Sequence, residues 1–389
     1  MKKNFSSNIN IIIPIIVAIF NVFLILNPSE MINAAKDGLQ LWFNQVLPTL
    51  LPFVVGANLL AGLGFIHFIG ALTAPIMIPV FKVPGVGAFA LLTGFTSGYP
   101  MGAKAVAHLW ETQQIQQQEA QRLLAFSNNA GPLFVVGFVG AGLFNSVRLG
   151  YMLLISHIIA ALIIGLVLRF FSQEYSVHHQ KQFGGLKQAF YAYQEFRNTD
   201  YKGLGHILGT SVKNAMEAML LIGGFIITFC VVIKALEISG IFTVLNYFSS
   251  NDKVYLATGF VAGLLEVANG AKMISQGSEP TAMTLAATTA LISFGGFSIH
   301  GQTAHFIRNT DIQFAPYLAA KCLHAMIAGG ICLLITSYFA IPATTLPTTT
   351  LEMNFISRIS TAGYHFIVLT GLMMVMAFCF SFMLSYRKN

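Results

Sequence analysis

Apolar stretches of bilayer length recur along this chain, and no other feature restricts its fold as strongly. Ile11–Ile25, Leu149–Leu168, Leu220–Leu236 and Phe366–Leu384, taken with their flanks, approach the roughly 20 residues an α-helix needs to cross the hydrocarbon core. Soluble domains carry about 25% charged residues. Here 55% of the residues are hydrophobic, 9% are charged and mean hydropathy is +0.70. A water-soluble core could not hide so much apolar surface, so lipid is the solvent for most of the chain.

The formal net charge of +7 does not mark a nucleic-acid surface, because the basic residues sit at segment ends and form no stripe interleaved with aromatics. Cys230, Cys322, Cys332 and Cys379 all lie in apolar runs without C-x-x-C spacing and read as membrane-buried thiols. Lys2 and Lys3 precede an apolar run that continues to about Leu26 with no small-x-small cleavage site directly after it, so a retained first helix is expected.

Apolar runs and their breakers place spans near 9–27, 41–64, 66–80, 84–107, 119–144, 148–170, 209–236, 240–250, 254–273, 281–302, 314–338 and 362–385. Those at 66–80 and 240–250 are short for a crossing and read as re-entrant or tilted half-helices. The expected organisation is an N-terminal helix with its flank (1–37), a first membrane repeat (38–170), a cytoplasmic connecting loop (171–208), a second repeat (209–340), and an external loop with a C-terminal helix (341–389). Positive flanks stay in the cytoplasm. This puts both termini inside, with Lys2, Lys3, Arg387 and Lys388, together with Lys181, Lys187, Arg197 and Lys202 of the connection, Lys253 and Arg308. The turn at Glu279 and the lysine-free segment Pro342–Thr350 fall outside.

An internal duplication runs through these spans. Gly102-Ala103-Lys104 recurs as Gly270-Ala271-Lys272 at an offset of 168, Gly94 and Gly263 differ by 169, Phe126 and Phe294 by 168, and His157 and His324 by 167. Matches in one order at a nearly constant offset identify two copies of one unit. With about five spans each, an odd number, the second copy enters from the opposite face, as in the inverted repeats of secondary transporters.

Four segments interrupt otherwise apolar spans: Gly94–Lys104 (GFTSGYPMGAK), Phe126–Pro132 (FSNNAGP), Gly263–Lys272 (GLLEVANGAK) and Phe294–Gln302 (FGGFSIHGQ). Gly and Pro free backbone groups that lipid cannot satisfy, so such breaks face protein or a water-filled cavity. Breaks in corresponding places of two halves point to a midplane binding site. Ser97, Tyr99, Asn128, Asn129, Asn269, Ser298, His300 and Gln302 gather there and are the candidate solute contacts, since amides and hydroxyls can replace a hydration shell without a net charge. Tyr99 reads equally well as a packing or belt tyrosine. Glu266, a carboxylate inside a span, is either the group that couples transport to a proton or Na+ or the partner of Lys104 or Lys272. Those lysines either snorkel to an interface or contact an anionic solute.

His157 and His324 stand alone on apolar helices and read as packing residues rather than proton carriers. His178, His179 and His206 lack any zinc-ligand framework and read as solvated loop residues, so no metal or cofactor is expected. There is no G-x-S-x-G, H-E-x-x-H or Walker loop, which argues against an enzyme and against ATP-driven transport.

SGYPMGAK (Ser97–Lys104), EAQRLLAFSNNAGPLFVVG (Glu119–Gly137), GLLEVANGAK and SFGGFSIHGQ together resemble the YlbJ-type sporulation integral membrane proteins, within the wider group carrying a nucleoside recognition or Gate domain. The match runs from about Leu47-Pro48 and Pro52-Phe53 to about His324. The resemblance implies a multi-pass plasma-membrane protein related in architecture to concentrative nucleoside transporters, with heterocyclic carboxylates such as dipicolinate, or nucleosides, as cargo.

The expected fold is thus an all-α polytopic membrane protein of two inverted repeats with broken helices. The expected function is secondary transport of a small polar or anionic solute by alternating access. Two other classes compete: a membrane scaffold or assembly factor whose polar breaks are packing devices, and an intramembrane enzyme using Glu266 and His300. Polar groups at corresponding places in both halves favour transport, because an enzyme needs only one constellation. The sequence is compatible with a homo-oligomer. The orientation is testable: a cysteine placed at Lys187 should resist an impermeant reagent in intact cells and react once they are permeabilised. Labelling in intact cells would overturn the topology.

Overall fold

The computed structural model describes residues 2–171, 185–199, 201–243, 254–277 and 280–338, with backbone alone for 2–13, 49 and 254. The expected C-terminal span 362–385, the segment Pro342–Thr350, most of 240–250, Glu279, Cys379, His178 and His179 lie outside the described residues.

Among the described residues every regular element is helical. The chain begins with α1 (Lys2–Leu26) and α2 (Pro28–Leu41), which runs through a π-helical stretch, Trp42–Val46, into α3 (Leu47–Gly62). Next come α4 (Phe65–Phe81), α5 (Gly87–Ser97), α6 (Met101–Glu111), α7 (Gln117–Ser127), a second π-helical segment, Leu133–Leu143, and α8 (Val147–Leu168). Beyond the connection lie α9 (Leu186–Thr199), α10 (Leu204–Ile238), α11 (Val254–Leu265), α12 (Val267–Ser275), α13 (Ala282–Phe294), α14 (Gly296–Phe306) and α15 (Phe314–Tyr338).

Four helical stretches are long and apolar enough to cross a membrane: Val147–Phe171, Leu204–Ile238, Ala282–Phe306 and Phe314–Tyr338. Two bent pairs, Pro14–Leu26 with Pro28–Val46 at 103° and Leu50–Gly62 with Phe65–Phe81 at 84°, bring the number to six if each is one span. Both bends have local causes. Pro28 opens α2, where its missing N–H is an orphan in any case. Gly64 takes a left-handed φ of 89° that favours glycine and turns the chain from α3 into α4. The stretches expected at 41–64 and 66–80 are therefore two arms of one sharply bent pair.

The connection is not loop throughout. Residues 186–199 form α9, whose Phe190 meets Phe68 edge-on at 5.7 Å and whose Phe196 stacks on His67 at 4.9 Å, docking it on α4. Its apolar side chains recur at helical rather than random spacing, a pattern that the polar residues between them mask.

All four expected breaks are present. α5 and α6 are separated at Gly98 and a cis Tyr99–Pro100 peptide, and α7 ends before an unwound Asn128–Gly131. α11 and α12 are separated by Glu266 alone in extended geometry, and α13 ends on left-handed Gly295. Both halves thus read as a broken pair, a second broken pair and one long helix: α5/α6, α7/π, α8 and then α11/α12, α13/α14, α15.

Glycine lets broken pairs close. A methyl group on Gly94 or Gly102 would strike the Ser127 carbonyl, and one on Gly270 would strike the Gly263 backbone. Gly98 faces the Gly131 backbone, and Gly296 faces the Gly263 carbonyl, so within each half the two breaks cross. Gly270→Ala should accordingly destabilise the purified protein by about 1–3 kcal/mol through overpacking. Gly224→Ala, with open space around it on α10, should be neutral or slightly stabilising. Thermal unfolding in detergent measures both, and equal effects would contradict the crossing.

Candidate functional site at the crossing of the breaks

The unwound Asn128–Gly131 segment leaves main-chain groups without helical partners, and side chains from elsewhere take them up. The Asn128 carbonyl accepts from Lys321 Nζ at 2.9 Å, and the Ala130 N–H donates to His157 Nε2 at 3.1 Å. The Asn128 amide nitrogen donates to the Tyr317 hydroxyl at 2.8 Å and to Thr303 Oγ1 at 3.0 Å. Tyr317 lies 3.3 Å from His300 Nδ1. A residue of the first half is thereby bonded to α14 and α15 of the second, and the segments around Asn128-Asn129 and Ser298–His300 meet through Tyr317.

The bonds also assign the histidine protons. His157 Nε2 accepts, so its Nδ1 carries the hydrogen and donates to Ser293 Oγ at 2.7 Å. His324 Nε2 is 3.0 Å from the His157 carbonyl and therefore donates, leaving Nδ1 to accept from Lys321 at 2.8 Å. The two imidazole ring centroids, of residues 167 positions apart in the sequence, lie 4.8 Å apart. They are packing residues in one sense, but each is fully engaged in hydrogen bonds at the break.

Six buried polar atoms around this crossing have no partner among the described residues: Tyr99 Oη, Ser127 Oγ, Asn128 Oδ1, Asn129 Oδ1, His300 Nε2 and Gln302 Oε1. The large majority of buried side-chain polar atoms in folded proteins have a hydrogen-bond partner. A concentration of orphans therefore needs a local reason. Asn129 spends its amide nitrogen on the Phe126 carbonyl at 2.6 Å, and Gln302 spends its own on Ser298 at 3.3 Å. Ser97 is buried at the end of α5.

The remaining expected site residues lie elsewhere. Glu266 caps α12: its oxygens accept from the Ala268 N–H at 3.1 Å and the Asn269 N–H at 2.8 Å, and from the Asn269 side chain at 3.0 Å. Asn269 donates in addition to Cys230 Sγ at 3.0 Å, so it belongs to this cap rather than to the Asn128 cluster. No ion pair joins Glu266 to a lysine among the described residues; Lys234, by contrast, pairs with Glu30 and Glu237. Lys272 is exposed. Lys104 donates to the Asn214 carbonyl at 2.9 Å and lines a cleft of about 1140 Å³ with Asn58, His67, His108, Glu111 and His206.

Sequence reasoning missed Ser127, Thr303, Tyr317 and Lys321. Lys321 carried a usable signal, because it is a charged residue inside the apolar span Phe314–Tyr338, as Glu266 is inside its own. Tyr317, Lys321 and His324 also fall at i, i+4 and i+7, one face of α15.

No family model and no solved structure matches the chain. The sporulation integral membrane protein YlbJ of Bacillus subtilis (strain 168) is 33% identical over 342 residues, which cover 84% of this chain and 84% of that protein. The aligned length takes in most of the membrane-embedded helices as well as the motifs at the breaks, and at that identity and coverage the chain belongs to the family of the sporulation integral membrane protein YlbJ.

Proposed function

We propose that this integral membrane protein is a secondary transporter of a small polar or anionic organic solute, either a heterocyclic carboxylate such as dipicolinate or a nucleoside-like molecule. The observation that carries the reading is the set of six orphaned polar atoms where the crossed breaks meet. Unsatisfied donors and acceptors at membrane depth are costly, and a solute that replaces its hydration shell with them offsets that cost. The repeated order of broken pair, broken pair and long helix supports two inverted halves that exchange roles in alternating access. In this reading the protein sits in the plasma membrane with both termini cytoplasmic. Ser97, Tyr99, Asn128, Asn129, Ser298, His300 and Gln302 contact the solute, with Asn269 nearer the coupling group.

Glu266 is the proposed coupling group, taking a proton or Na+ as the end of α12 moves. Its three hydrogen bonds also favour a second reading, in which it only caps that helix and the protein is a scaffold whose polar breaks are packing devices. Flux separates the two. Proteoliposomes should accumulate labelled pyridine-2,6-dicarboxylate or uridine under a proton or Na+ gradient, and absence of flux for both under either gradient would favour the scaffold.

Glu266→Gln removes the titratable charge and keeps the shape. If Glu266 couples, the variant inserts normally and exchanges solute but loses gradient-driven accumulation. If it only caps α12, accumulation persists and the loss appears in thermal stability, by about 0.5–2 kcal/mol as for other N-caps.

A further inference from the structure

Lys321 is a cation with no anion paired to it. It is 1% exposed within the apolar helix Phe314–Tyr338, and no Asp or Glu forms an ion pair with it among the described residues. A buried ammonium is expensive unless its charge is met. What meets it here is a carbonyl and a ring nitrogen: the Asn128 carbonyl accepts from Nζ at 2.9 Å, and His324 Nδ1 accepts at 2.8 Å. Asn128 is also the C-cap of α7, so the ammonium lies at the negative end of that helix. An unwound carbonyl at the C-terminal end of a half-helix is the arrangement that holds the coupling cation in carriers with broken helices. In this chain the cation at that position is covalently attached.

A free metal ion on the Asn128 carbonyl would lie within a few ångströms of that ammonium and be repelled by it. Glu266 offers no equivalent place. Its oxygens accept from two backbone N–H groups at the N-terminal end of α12, where the helix favours negative charge. A proton can join that carboxylate, whereas a Na+ there would face the N–H groups. We propose that the Lys321 ammonium is a tethered replacement for a coupling metal ion at the Asn128 break, so that solute movement through this protein needs no Na+. This rests on the transporter reading above and deepens it by choosing the proton over Na+ as the exchangeable cation.

Two measurements on the full-length protein test this. In proteoliposomes, proton-driven uptake of labelled pyridine-2,6-dicarboxylate or uridine should be unchanged when N-methyl-D-glucammonium replaces all Na+, and a Na+ gradient alone should drive none. In detergent, Lys321→Ala removes the side chain beyond Cβ and leaves a gap that propylammonium fits with its charge and 1-propanol fits without one. Propylammonium should raise the unfolding midpoint of the variant by about 2 °C or more, with no such effect on wild type, and 1-propanol should not. Uptake that requires Na+ overturns the proposal and leaves the transporter reading standing. Equal rescue by both small molecules, or by neither, also overturns it, since a charge at the break would then be dispensable. If the alanine variant does not elute as a monodisperse peak, Lys321→Gln and Lys321→Arg replace it. Both keep a donor for the Asn128 carbonyl, only the arginine should keep uptake, and equal uptake by the two overturns the proposal. Absence of flux under either gradient removes the transporter reading and the Na+ independence together, and ammonium-specific rescue then supports the buried cation site alone.

Discussion

A lipid bilayer offers no hydrogen bonds, so each backbone group freed where a helix stops at membrane depth has to be met by the protein itself. The rest of this structure depends on how that requirement is met. At the Asn128–Gly131 break the carbonyl goes to Lys321 and the amide of Ala130 to His157; at Glu266 the freed N–H groups go to the glutamate's own carboxylate. The first solution recruits side chains from distant helices and the second is local. The first break is therefore tied into both halves, whereas the second is self-contained.

Close approach of backbones is what brings these breaks together. Gly94, Gly102, Gly263 and Gly270 allow contacts that no side chain would permit, and Gly98 and Gly296 pass within reach of the opposite break's main chain. Small-residue crossings are the usual way helices associate in lipid, where no hydrophobic effect pulls them together. The result is that polar groups scattered over more than 200 positions, from Tyr99 to Lys321, share one buried region.

Much of this was legible in the sequence. The four interruptions were readable because Gly, Pro and paired amides stand out against apolar surroundings, and α15 matches its expected bounds because its one proline, Pro316, falls in the first turn, where it does not break a helix. The bent pair α3–α4 and the docked α9 were not. An 84° bend at Gly64 leaves the hydropathy of both arms intact, and the aromatic face of α9 is diluted by glutamine and charge. The site was half legible. Asn128, Asn129, His300 and Gln302 were marked by their breaks and Lys321 by its charge inside an apolar span, but Tyr317 lies on an unbroken helix and becomes a site residue only through which neighbour the fold gives it. Glu266 showed the reverse, since a side chain conspicuous in sequence has its hydrogen bonds at the start of the helix that follows it, where Asn269 joins it and reaches Cys230 as well.

Asn128 holds α15 at two points, with its amide on Tyr317 and its carbonyl on Lys321, one helical turn apart. A single bond would act as a pivot about which the helix could swing or roll. Two bonds spaced along the axis from one residue form a keyed joint, in which rolling the helix strains both at once and sliding it breaks both together. The long helix and the unwound segment are thereby coupled, so that displacing one loads both bonds to the other.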